Sequence, residues 1–137
     1  MFNLIVSGGL ESDRRGSIMA GRVLEHTSEP LSQKFMPGGE LDISAILELP
    51  TVLMEEGVAD EVAYLGWLTR VQKRDREYLL QYTVDPDIPR LNNADIHALA
   101  SELQIDDFEF HRNHWAIKDV DLFQVLYRQK AAQRPVL

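Results

Sequence analysis

At 137 residues the chain suffices for one domain that buries about two thirds of its unfolded surface, and its lack of cysteine excludes a disulfide scaffold, thiolate zinc sites and a cysteine nucleophile. Its 45% hydrophobic and 26% charged residues place it with folded rather than disordered chains. The net charge of −8 opposes general nucleic-acid binding.

The acidity is uneven. Residues 1–60 hold ten acids against Arg14, Arg15, Arg22 and Lys34, whereas residues 61–137 hold twelve acids against ten bases. No apolar run approaches the roughly 18 residues of a membrane span. The apolar start "FNLIV" is too short for a signal segment and has no basic flank. The expectation is a cytoplasmic protein with no membrane association.

In chain order, "FNLIV" suits a buried strand and "SGGLESDRRGS" a loop. Residues 17–27 fit a strand or a helix; Gly21, with Gly16 just before the segment, favours strand. Two short helices are expected within residues 28–49. Thr27 or Ser28 caps the first, Pro30 sits in its first turn and "PGG" stops it; Asp42 caps the second and Pro50 ends it.

Residues 51–84 read as a three-stranded meander. Its middle segment is apolar on both parities from Val62 to Leu68, as a strand covered on two faces should be. "EYLLQYTV" alternates, and "QKRDR" between the two is the hairpin turn. Asn92 or Asn93 then caps a helix over residues 93–104 with Ile96, Leu99, Ala100 and Leu103 in line. A last helix is expected over residues 119–131, capped by Asp119, with Val120, Phe123 and Tyr127 as its packing stripe and Leu122 and Leu126 widening it. Arg128 and Lys130 complement its other end. The expected fold is a single α+β domain over residues 1–137, a mostly antiparallel sheet covered by these helices.

"FHRNHWAIKDVDLFQVL", from residue 110, holds the densest chemistry. Phe108 and Phe110 share one strand parity and Trp115 and Ile117 the other, so the chain must break stride near residues 112 and 113 by a bulge or a tight turn. In the turn version His111 and His114 face each other, and with Asp119 or Asp121 they would hold a divalent metal ion that activates water for a hydrolase or nuclease. In the structural reading the acids begin a helix and the histidines are solvated or hydrogen-bonded.

Other signals are weaker. Gly8, Gly9, Arg14 and Arg15 suggest a phosphate loop but lack its spacing. Arg70, Lys73, Arg74 and Arg76 form a basic spot at the meander's hairpin, suited to an acidic partner, a phosphate or simple solvation. Asp85 and Asp87 fall short of a calcium loop. His26 and His97 are isolated, and the Gly-x-Ser-x-Gly elbow is absent.

The leading expectation is therefore a non-enzymatic module or accessory, inhibitor-type protein. It would bind another protein, a basic one included, through its acidic surface and exposed aromatics, with Arg70, Lys73, Arg74, Arg76 and Trp115 as contact residues and no cofactor. The alternative is the metal-dependent enzyme built on His111, His114, Asp119 and Asp121. Homo-oligomerisation is left open.

Overall fold

The computed structural model describes residues 1–8, 10, 14–88 and 91–132. The first apolar run forms β1 (Phe2–Val6), buried along its whole length. It lies between β3 (Pro50–Met54), to which it is parallel, and β7 (His114–Lys118), to which it is antiparallel. The meander supplies β3, β4 (Val62–Arg74) and β5 (Glu77–Val84), paired antiparallel. With β2 (Arg15–Met19) outside β5, the strand order is β2-β5-β4-β3-β1-β7. The two-residue β6 (Leu91–Asn92) pairs with the start of β4. The class is α+β with a mostly antiparallel sheet.

Helices cover both faces. On one, α1 (Glu29–Phe35) and α2 (Ile43–Leu47) set Leu31, Phe35 and Ile46 against Ile5, Leu53, Leu80, Tyr82 and Trp115. On the other, α3 (Asn93–Ala98), a 3-10 turn (Asp107–His111) and α4 (Leu122–Ala132) set Ile96, Phe110, Leu122 and Val125 against Phe2, Leu4, Val52 and Leu65. Burial on two faces explains why β1 and the first half of β4 carry apolar residues at both parities.

Local signals in the sequence match several boundaries. Asp42 accepts from the Ala45 N–H at the start of α2, and Asn92 and Asp95 cap α3 reciprocally. The "PGG" stop works through Gly38 and Gly39, both at positive φ. Residues 17–27 resolve as the end of β2, a 3-10 turn (Ala20–Arg22) and a bridge from Val23 to Trp115. Thr27 Oγ1 also accepts the Ile117 N–H, so the segment closes the free edge of β7.

Other boundaries differ from expectation. The hairpin turn is only Asp75 and Arg76, since Arg74 already pairs with Glu77; Asp75 takes the positive φ. A bulge between Leu68 and Arg70 shifts parity, so Leu68 and Val71 both reach the α1/α2 core. The third helix ends at Ala98 and continues as turns in which Leu99 and Leu103 stay buried. The last helix begins at Leu122, with Asp121 rather than Asp119 accepting from the Gln124 N–H. Its buried side is Leu122 and Val125, while Phe123 and Tyr127 of the expected stripe stand outside at 36% and 74% exposure. Lys130, expected to complement the end of that helix, has a side chain outside the described residues.

Candidate functional site

Residues 106–118 form a buried polar lock. The expected strand around Phe108 and Phe110 is instead the 3-10 turn, initiated when Glu109 Oε2 accepts the Asp106 N–H at 2.7 Å. Phe110 therefore enters the core while Phe108 is half exposed. The chain straightens after residue 112, and β7 places His114, Ala116 and Lys118 on one parity, Trp115 and Ile117 on the other.

Glu109 joins this row. Its Oε1 lies 3.0 Å from His114 Nε2, and Lys118 Nζ donates to both of its oxygens, at 2.9 and 3.0 Å. Lys118 also donates to the His26 carbonyl. His114 Nδ1 lies 2.6 Å from the Arg112 carbonyl, which can only accept, so that nitrogen carries a proton and the Nε2–Oε1 contact is held by a further one. Glu109 and His114 are fully buried. Burial pushes the Glu109 carboxyl up, but the bonds from His114, the Asp106 N–H and Lys118, together with the Lys118 charge, outweigh it and hold the group below its ordinary value of 4.5.

Around this centre, His26 meets Phe108 and His114 edge-on at 4.7 and 5.3 Å between centroids. Arg112 forms a two-pronged pair with Glu25. His97 bonds Asp107 at 2.6 Å. The lock thus ties residues 25–26 to the 3-10 turn and β7. Its buried centre, Glu109, His114 and Lys118, is held together by mutual bonds.

The geometry engages members of the expected metal constellation otherwise. Both ring nitrogens of His114 are taken by protein groups, His111 is exposed at the end of the 3-10 turn, and Asp121 spends an oxygen on capping. Among the described residues no group of three or more His, Asp or Glu side chains is placed to hold a metal ion. Trp115 is likewise no surface contact: it is fully buried, and its indole N–H donates to Asn3 Oδ1. Sequence reasoning missed Glu109, Lys118, Glu25 and Arg112. An acid between two phenylalanines and a lysine closing "HWAIK" were the available signals.

The remaining candidates lie elsewhere. Gly9 and residues 11–13 of the proposed phosphate loop fall outside the described residues. Arg14 stacks its guanidinium over Tyr64, 5.0 Å from the ring centre, beside a shallow cleft of about 330 Å³ lined also by Asp85 and Ile88. Asp85 accepts the Asp87 N–H, so the two acids shape their own turn.

The basic spot divides. The cross-strand pairs Arg70–Gln81, Gln72–Leu79 and Arg74–Glu77 share a face with Trp67–Thr83, whereas Lys73 sits opposite buried Tyr78 on the other face and Arg76 in the turn. On β2, Arg15, Ser17 and Met19 continue the first set of rows. This is the α4 side of the sheet, yet Arg70, Gln72, Arg74, Thr83 and Met19 are exposed. Helix α4 reaches only as far as Trp67, whose ring lies 6.1 Å from that of Phe123.

No family model matches the chain, and no curated protein or solved structure resembles it. Among the described residues no helix is long and apolar enough to cross a membrane.

Proposed function

We propose that the protein is a non-enzymatic protein-binding module whose contact surface is the open half of the α4 face. The observation that carries this reading is the exposed group Trp67, Phe123 and Tyr127 beside a three-stranded face bearing Arg70 and Arg74, over which no described helix lies. Tryptophan, tyrosine and arginine are the residues that dominate binding energy at protein interfaces. A sheet strand and the helix packed beside it present them without a large ordering cost.

In-cell photocrosslinking tests this. A photoreactive residue at position 72 is expected to give discrete heteromeric adducts, and one at exposed position 29, on α1, far fewer. The adducts should disappear in Trp67→Ser/Tyr127→Ser with an unchanged circular dichroism spectrum. Equal labelling from both positions, or adducts indifferent to the double substitution, overturns the reading.

A further inference from the structure

Resting on that reading, we infer that the open face receives a short acidic segment of the partner in extended conformation. Three observations converge. Arg70, Gln72 and Arg74 stand on one side of one strand at alternate residues, so they recur about every 7 Å. An extended peptide alternates its own side chains at that interval. Carboxylates four residues apart therefore match Arg70 and Arg74, each a planar fork suited to two-pronged pairing. Gln72 lies between them, its Oε1 accepting from Arg70.

Next to this row, at the α4 end, Trp67 and Phe123 offer an apolar rest for one large side chain of the segment. At the hairpin end a hollow of about 710 Å³ is lined by Met19, Arg74, Asp75, Arg76 and Glu77. It places a second arginine where the segment would leave the sheet.

Charge distribution selects a peptide over a nucleic acid. The exposed acids Glu55, Glu56 and Asp60 lie just before β4, at the opposite end from Arg74. A strand of that length separates them by about 40 Å, several Debye lengths at physiological salt. A segment with two or three carboxylates spans Arg70 and Arg74 and ends at the hairpin, where Glu77 stands opposite Arg74. A phosphate backbone, charged at every nucleotide, would extend across the acidic body and be repelled.

Selection of random peptides displayed on phage against the intact protein decides the matter. Enriched peptides should carry net negative charge with acids four residues apart and one aromatic or large aliphatic residue. Their affinity by fluorescence anisotropy should fall about tenfold or more in Arg70→Glu/Arg74→Glu and on raising salt. A labelled oligothymidylate should bind no better to wild type than to that variant.

Neutral or basic consensus peptides, no enrichment, affinity untouched by the double variant, or arginine-dependent oligothymidylate binding each overturn the inference. The same variant in the crosslinking experiment separates it from the parent reading. Adducts lost in Trp67→Ser/Tyr127→Ser but retained in Arg70→Glu/Arg74→Glu bring down the acidic segment and leave the module standing. Adducts retained in both bring down both.

Discussion

Glu109 is the residue on which the lock turns, because it is the carboxylate between a buried imidazole and a buried ammonium. Removing one member of such a set leaves the others desolvated and unpaired. Glu109→Ala is expected to cost about 3–5 kcal/mol in urea unfolding. Lys118→Met added to it should recover part of the loss, so that the double substitution costs less than the sum of the two singles. The carboxyl is held below its ordinary value of 4.5 in the folded state. Its contribution is thus complete above that pH and is lost as pH falls through the lower folded value. The urea midpoint of the wild type should therefore drop more steeply below pH 4.5 than that of Glu109→Gln. Gly66 is constrained differently: a Cβ there would stand 1.8 Å from the Thr83 carbonyl oxygen. Since that oxygen belongs to the neighbouring strand, Gly66→Ala should destabilise by about 1–3 kcal/mol or more through overpacking.

Among elements, α4 shows how a two-residue offset of the cap accompanies a different surface. Starting the helix at Leu122 turns Leu122 and Val125 inward and leaves Phe123 and Tyr127 outside. The sequence points to Asp119 as the cap, and the geometry gives that role to Asp121. Asp121→Ala should cost about 0.5–2 kcal/mol. Asp119→Ala, at an exposed position, should stay within about 0.5 kcal/mol of wild type. Equal losses in thermal or urea unfolding would show that the helix begins earlier. The meander, α2 and the cap of α3 were legible because each depends on neighbours in sequence: alternation, a capping side chain, a terminating proline or glycine. The 3-10 turn was not. "DFEF" alternates as a strand does, and only Glu109 turning back to the Asp106 N–H, with its second oxygen engaged by His114, bends it otherwise.

Across the whole molecule, one half of the sheet is covered on both faces and the other on one. Strands β1, β3 and the start of β4 lie between two helical layers; β2, β5 and the far end of β4 have helices on the α1/α2 side and an open surface opposite. The bulge in β4 makes the transition by preserving the inward direction of Val71 while Arg70 and Arg74 turn outward. Acidic residues gather around the β3–β4 loop and basic ones around the hairpin, so a net charge of −8 conceals a molecule with unlike ends.

The order of strands in the meander, the short helices before it, the apolar run of β1 and the caps of α2 and α3 follow from sequence alone, because period and capping are properties of residues a few places apart. Tertiary structure decided which histidine is buried, which aspartate caps α4, that Trp115 is interior and Trp67 exposed, and that Arg70 and Arg74 share one face while Lys73 takes the other. Each of these depends on the register between strands and on groups far apart in the chain, such as Trp115 with Asn3 and Lys118 with the His26 carbonyl. Local spacing carries no record of such partners.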